Sequence, residues 1–264
     1  MSGRNLSDIL LSPGGLTPMF QPIMRTSAVP ASLHAYECLT RGPVGTNLEQ
    51  ADVLFEYVRR KRIEAPADRA CVMAALQAAS AIPGSPGLSV NVHAITLATD
   101  PDFSKMLAHV AGAAGIATGR LTVEIVEHSP ALDTEAFLRG LERLRALDIS
   151  IALDDVGLGE SNYKMILDAD PDYLKIDRYF ISHWETEPRR RAIVESIVDL
   201  AHRFGAEAIA EGVERPEELE ALRGLGIDLI QGYLFSRPVS IASLREGIAD
   251  APDDSPPERA SAAR

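Results

Sequence analysis

Short apolar segments alternate with longer stretches of helical periodicity along most of the chain. The short segments are rich in Val, Ile, Leu or Tyr and are shorter than a typical helix, so they predict strands at Met19–Met24, Ala35–Thr40, Leu88–His93, Leu121–Val126, Ile149–Val156, Tyr173–Ile176, Glu207–Val213 and Leu229–Leu234. The stretches between them predict helices that include Ala67–Ala81, Asp102–Ala111, Thr134–Ala146, Arg190–Phe204 and Pro216–Gly224. Strands that alternate with helices in this way predict an α/β fold, the (β/α)8 TIM-type barrel.

The connection between the first two predicted strands departs from this pattern. The loop around Thr26–Ser32 has no room for a helix. A parallel return needs a crossover of about a dozen residues or more, so the first strand should run antiparallel to the second.

The predicted barrel accounts for nearly the whole chain. We expect an N-terminal extension over residues 1–15, one barrel domain over 16–249 and a tail over 250–264. The tail is polar and rich in proline, a composition that predicts disorder.

Composition and charge narrow the classes of partner. The chain has 264 residues, with 38 acidic and 26 basic side chains and a formal charge of −12. This balance argues against DNA or RNA and against anionic membranes as partners, because each requires a basic face. Two cysteines cannot form a disulfide framework, and we find neither a signal peptide nor an apolar run of about 18 residues. We therefore expect a cytoplasmic protein.

Polar residues occur at the ends of seven consecutive apolar strands. These residues are Glu37, Asn91, Glu124, Glu127, Asp154, Asp155, Lys175, Glu211, Glu214 and Gln231. Any one of them could be an ordinary strand-end residue facing solvent. Together they would line the carboxyl-terminal mouth of the barrel, where barrel enzymes place their sites.

The chemistry of this set favours a metal centre. Carboxylates gathered at one mouth need counter-charge. Clusters of Asp, Glu and Asn without cysteine select hard cations such as Mg²⁺ or Mn²⁺. Adjacent aspartates suit a pair of ions about 4 Å apart, an arrangement used for in-line phosphoryl displacement.

Several motifs resemble one bacterial family. Glu37-Cys38-Leu39-Thr40-Arg41 resembles the Glu-Ala-Leu-x-Arg signature of the EAL cyclic di-GMP phosphodiesterases. The similarity extends from Gln21-Pro22-Ile23 to the segment from Gln231 to Pro238. It includes the motifs around Asn91, Glu124-Ile125-Val126-Glu127, Asp154-Asp155-Val156-Gly157, Lys175-Ile176-Asp177 and Glu211-Gly212-Val213-Glu214.

The resemblance implies a separate role for each of these residues at the barrel mouth. Glu37, Asn91, Glu124 and Asp154 would hold one Mg²⁺ or Mn²⁺ ion, and Asp154, Asp155 and Glu211 would hold a second. Lys175, Glu211 and Glu37 would be catalytic, with Lys175 orienting the attacking water and Glu211 acting as general base. Gln21, Arg41 and Gln231 would contact cyclic di-GMP, and Glu127 and Glu214 would support the site. The implied reaction is hydrolysis of cyclic di-GMP to linear pGpG by a homodimer. The sequence leaves the regulatory input open: the domain could stand alone, receive signals through a protein partner or be a fragment of a longer protein.

Three departures from the family pattern leave alternatives open. Cys38 replaces the signature alanine, and we interpret it as a buried core residue. The loop Val156–Asn162 keeps both glycines and one serine but lacks the Phe, Thr, Tyr and second Ser that active members carry there. His93 and His128 replace small residues and could be metal ligands or packed side chains.

The altered loop supports an alternative function. The domain would be catalytically weak or inactive and would bind cyclic di-GMP or a protein partner as a regulatory module. A glycosidase with a carboxylate pair is a third possibility, although that chemistry needs neither a metal cluster nor a lysine in the site.

Overall fold

A computed structural model describes Leu10, Ser12 and residues 14–126, 132–158, 163–184 and 186–246. The strands are β1 (Thr17–Arg25), β2 (Ser32–Arg41), β3 (Gly87–His93), β4 (Leu121–Val126), β5 (Ser150–Val156), β6 (Tyr173–Ile176), β7 (Glu207–Ala210) and β8 (Leu229–Gln231). The helices are α1 (Ala51–Lys61), α2 (Glu64–Ala79), α3 (Ala94–Thr99), α4 (Phe103–Ala113), α5 (Thr134–Arg145), α6 (Tyr163–Ala169), α7 (Arg178–Ile181), α8 (Pro188–Arg203), α9 (Pro216–Leu225) and α10 (Ile241–Glu246).

The eight strands close into a barrel in chain order. β1 pairs antiparallel with both β2 and β8, and each later neighbouring pair is parallel. The predicted fold class and the antiparallel first strand are therefore confirmed. The turn from Thr26 to Ala31 joins β1 to β2 without a helix, as the loop length required.

The last two strands end earlier than their apolar patterns predict. β7 stops at Ala210 rather than Val213, because Gly212 turns the chain with φ of 70°. β8 stops at Gln231 rather than Leu234. There Gly232 packs so closely on the backbone of Val213 that a Cβ atom would lie 1.9 Å from the Val213 carbonyl oxygen.

Helix termini follow local chemistry that the sequence already carries. Asp133 caps α5, because its carboxylate accepts a hydrogen bond from the backbone N–H of Ala136 at 3.0 Å. Pro216 occupies the first turn of α9, and Gly205 follows α8 with φ of 75°.

Apolar side chains fill the space between the barrel and its helices. Cys38 is 4% exposed in this core, which confirms it as a packed residue, and burial raises the pKa of its thiol. Trp184, whose position the sequence does not decide, is also buried, at 3% exposure. Leu10, in the predicted extension, packs with Leu54 and Val58 of α1. The part of the chain that the structure describes has no helix long and apolar enough to cross a membrane.

Candidate active site

The carboxyl-terminal mouth of the barrel contains a cavity of about 300 Å³. Each parallel strand presents alternate residues to the interior, so polar residues at equivalent strand ends converge there. The described lining residues are Gln21, Glu37, Leu39, Asp154, Lys175, Arg178, Glu211, Gly212, Glu214, Gln231, Gly232 and Tyr233.

Lys175 lies at the centre of the site and contacts four carboxylates. Its Nζ is 2.5 Å from Glu124 Oε2, 2.7 Å from Glu211 Oε1, 3.3 Å from Asp154 Oδ1 and 3.8 Å from Glu37 Oε1. Burial alone would lower the pKa of Lys175, but these carboxylates raise it well above its ordinary value. The ammonium is therefore charged and carries part of the counter-charge of the site.

Glu37 is fixed by two amides. Asn91 Nδ2 donates to its Oε1 at 2.8 Å, and Gln231 Nε2 donates to its Oε2 at 2.5 Å. The same Gln231 nitrogen lies 3.0 Å from Gln21 Oε1, and Gln21 donates to the backbone carbonyl of Ser236 at 3.1 Å. The strand register prepares this network, since Gln21 pairs directly with Glu37 across β1 and β2. These contacts hold Glu37 in one orientation.

Asp154 and Asp155 both reach the mouth because β5 is irregular. Consecutive strand residues normally point to opposite faces. Here the register with β6 shifts between Leu153 and Val156, and Asp155 adopts φ of 52°. Such an irregularity re-aims a side chain, and aspartate tolerates left-handed backbone better than most residues. Carboxylate oxygens of Asp154, Asp155 and Glu211 consequently lie within 4.8 Å of one another.

The electrostatics of these groups fit a bound cation. Burial and the neighbouring Glu37 raise the pKa of Glu124 to about 8, although Lys175 opposes the shift. Burial also raises the pKa of Glu211, and burial with Asp154 raises that of Asp155 to about 6. Raised values mean that the carboxylates lack sufficient counter-charge.

Unpaired acceptors in the site point the same way. Glu124 Oε1 and Gln231 Oε1 are buried without a hydrogen-bond partner. Buried oxygens are seldom left unpaired, and an oxygen-only donor set suits a hard divalent cation. The acidic cluster could therefore bind metal.

Two residues implied by the resemblance stand apart from this centre. Arg41 is exposed and is not among the described lining residues of the cavity. Glu214 lies at the rim, 38% exposed, and pairs with Arg178 at 2.7 Å. Glu127 lies outside the described residues, as does His128.

A buried network around Asp68 was not predicted from the sequence. Asp68 of α2, 1% exposed, accepts hydrogen bonds from the His93 backbone N–H at 2.9 Å and from Thr96 Oγ1 at 2.5 Å. Its Oδ1 also lies 2.8 Å from His93 Nδ1. His93 is thus a packed side chain engaged by Asp68. The signal was available, because Asp68 shares the apolar helical face of Cys71, Val72 and Ala75.

The sequence model of the EAL domain matches residues 4–238. Among curated proteins, the chain is 37% identical over 138 residues to cyclic di-GMP phosphodiesterase NbdA of Pseudomonas aeruginosa, covering 52% of this chain and 18% of NbdA.

Solved structures of related proteins share the fold. The manganese and cyclic di-GMP complex of Klebsiella pneumoniae BlrP1 superposes with a TM-score of 0.76 at 28% identity, covering 87% of this chain and 58% of that one. The PaMucR phosphodiesterase in complex with c-di-GMP also gives 0.76, at 25% identity, covering 87% of this chain and 99% of that one.

The match to the family model extends over most of the chain, whereas the curated relatives are longer proteins. The chain spans between 14% and 33% of the length of these curated relatives. The family model includes the strands that present Glu37, Lys175 and Glu211 to the mouth. The chain therefore belongs to the EAL domain family.

Proposed function

We propose that this protein hydrolyses cyclic di-GMP to linear pGpG, using two divalent ions, Mg²⁺ or Mn²⁺, held at the barrel mouth. The observation that carries the proposal is the buried ring of carboxylates around Lys175, with Glu124 Oε1 unpaired. It is supported by the family membership and by the relatives named as cyclic di-GMP phosphodiesterases.

The charge of the mouth supports the number of ions. Glu37, Glu124, Asp154, Asp155 and Glu211 oppose a single ammonium at the centre. Four excess negative charges remain when all five carboxylates are ionised, and two divalent ions would neutralise them. Glu37, Asn91, Glu124 and Asp154 would hold one ion, and Asp154, Asp155 and Glu211 the other. Bound there, such ions would polarise the phosphoryl oxygens and lower the pKa of a nearby water.

The protein side chains would then orient the substrate and move a proton. A water oxygen attacks the phosphorus of one phosphodiester, the P–O3′ bond breaks, and the departing O3′ takes up a proton from solvent, so the product carries a 5′-phosphate and a 3′-hydroxyl. Glu211 accepts the proton of the attacking water. Lys175, held by its four carboxylates, orients that water and stabilises the developing negative charge. Gln21, Gln231 and Arg41 would contact the dinucleotide, and Glu127 and Glu214 would support the site.

A second candidate, binding of cyclic di-GMP without turnover, is favoured by the altered loop. Val156 and Leu158 replace the Phe and Thr of active members, Gly157 is retained, and the remainder of the loop lies outside the described residues. Incubation with cyclic di-GMP and Mn²⁺, followed by chromatography of the nucleotides, separates the two. Appearance of pGpG supports hydrolysis, whereas tight binding without pGpG supports the second candidate.

We further propose that the protein forms a homodimer and receives regulation through a protein partner. The support for a dimer is a groove of about 750 Å³ between α6 and α8, lined by apolar residues that include Val156, Phe180 and Ile197. Tyr163 and Ile193, on its two sides, are 76% and 41% exposed. Light scattering should give twice the monomer mass, and Ile193→Asp should reduce it to that of the monomer. A monomeric wild type at micromolar concentration contradicts the dimer.

A further inference from the structure

Arg178, the first residue of α7, is held at the rim of the mouth cavity. Its aliphatic stem crosses Gly212, where a Cβ atom would lie 2.5 Å from Arg178 Cγ. Its Nη2 is 2.7 Å from Glu214 Oε1, and the side chain is 53% exposed. The glycine directly after Glu211 therefore makes room for a guanidinium that packing and one ion pair orient, and that solvent still reaches.

Arg178 is one of two cations among the described residues that line this cavity. The other, Lys175, is 1% exposed and committed to four carboxylates. The remaining charged lining residues are the acids Glu37, Asp154, Glu211 and Glu214. Among the charged groups of this lining, an anionic group of a ligand outside the metal centre would therefore be attracted by Arg178 and repelled by the acids.

A cyclic dinucleotide presents such a group. It carries two phosphodiesters, of which one reacts at the metal centre, so the second must be accommodated elsewhere in the cavity. Guanidinium groups bind phosphate oxygens through paired N–H donors, and a partly exposed one can exchange a carboxylate partner for a phosphate.

We propose that Arg178 binds the non-reacting phosphate of the cyclic dinucleotide, with Glu214 orienting the guanidinium at the rim until substrate arrives. This inference rests on the proposed function and adds a residue that favours cyclic dinucleotides over simple phosphodiesters. It makes Arg178 a contributor to substrate affinity rather than to the chemical step.

Steady-state kinetics on Arg178→Ala and Arg178→Lys test the inference. Arg191→Ala is the matched control, because Arg191 is 58% exposed and paired with Glu195 at 2.8 Å on α8. Losing a hydrogen bond to a charged group weakens binding enough that we expect KM to rise about tenfold or more in Arg178→Ala. We expect kcat to stay within about twofold, because losing an interaction made equally in the bound substrate and the transition state raises KM alone. Arg178→Lys should recover part of the loss. A KM equal to that of Arg191→Ala overturns the inference.

A second experiment distinguishes binding of the phosphate by Arg178 from binding of the base. It is needed because arginine also binds the O6 and N7 atoms of guanine. The 7-deaza analogue of cyclic di-GMP lacks N7 and keeps both phosphates. Arg178→Ala should raise its KM by the same factor as for cyclic di-GMP. An effect of the substitution that disappears with the analogue overturns the phosphate assignment.

Equilibrium binding keeps this inference distinct from the proposed hydrolysis. If the wild type binds cyclic di-GMP with Mn²⁺ but releases no pGpG, the proposed activity fails. Calorimetry should then still show a Kd raised about tenfold or more in Arg178→Ala, for the same reason. A wild type that does not bind cyclic di-GMP overturns both.

Discussion

Lys175 and Glu124 form a fully buried ion pair, with Nζ 2.5 Å from Oε2, while the second oxygen of the same carboxylate has no hydrogen-bond partner. One carboxylate thus holds the lysine with one oxygen and leaves the other available to a cation. We therefore expect the stability of the barrel to depend on whether a cation occupies its mouth.

Replacing Lys175 should destabilise the metal-free protein strongly. Lys175→Met leaves Glu124, Glu211 and Asp154 without their shared cation, and breaking a buried pair typically costs about 3–5 kcal/mol. Urea unfolding in EDTA measures the loss, and added Mn²⁺ should restore much of it.

The control for this substitution is Lys164→Met, which removes an exposed pair with Asp168 on α6. Surface pairs of this kind contribute about 0–1 kcal/mol. Equal losses of unfolding free energy in the two variants would show that the Lys175 ammonium does not stabilise the buried carboxylates around it.

The metal-free protein should lose stability as the pH rises. Asp155 and Glu124 have pKa values raised to about 6 and about 8 in the folded state. The folded protein therefore binds more protons than the unfolded chain, and this contribution is lost as the pH rises through those values. Unfolding in EDTA at pH 5.5, 7 and 9 tests the direction, and divalent metal should remove most of the decline. Metal-free stability that increases from pH 7 to pH 9 would be inconsistent with the raised values.

His93 should not be a metal ligand, because its ring nitrogen Nδ1 and backbone N–H face Asp68. His93→Gln should retain the wild-type number of bound Mn²⁺ ions, measured by titration calorimetry. Asn91→Ala, which removes a side chain that contacts Glu37 at the centre, should weaken Mn²⁺ binding. Loss of one ion in His93→Gln would assign the histidine to the metal centre instead.

A polar network around His34 should make the other end of the barrel sensitive to acid. Arg25 pairs with Glu207 at 2.6 Å, and its Nη2 lies 3.1 Å from His34 Nδ1. Burial, with the nearby Arg25, lowers the pKa of His34. A histidine whose pKa is lower in the folded than in the unfolded protein stabilises the folded state at pH values above the unfolded-state pKa. This contribution is lost as the pH falls. In melting experiments from pH 7.5 to pH 5, His34→Gln should lose stability less steeply than wild type. Identical slopes would exclude His34 as the source.

Much of the fold could be predicted from the sequence, because strand length and apolar composition are local properties. The antiparallel β1 followed from the length of one loop. The orientation of Asp155 could not be predicted, because it depends on an irregularity that arises only when β5 pairs with β6. The same holds for Trp184, whose burial depends on elements distant in the sequence.

The candidate site was predictable as a set of residues but not as a network. Strand-end positions indicated which side chains converge on the mouth. The sequence could not indicate that Lys175 contacts four carboxylates, or that Gln21 and Gln231 bond to each other, because these contacts depend on the closure of the barrel. Arg178 was missed because its position at the rim depends on the space above Gly212.

The central claim is most directly tested by the nucleotide products formed from cyclic di-GMP in the presence of Mn²⁺. Wild type should convert it to pGpG, and Glu37→Ala, which removes the carboxylate that Asn91 and Gln231 hold in place, should not. Turnover that survives in Glu37→Ala, or a wild type that binds cyclic di-GMP and yields no pGpG at saturating Mn²⁺, would contradict the account.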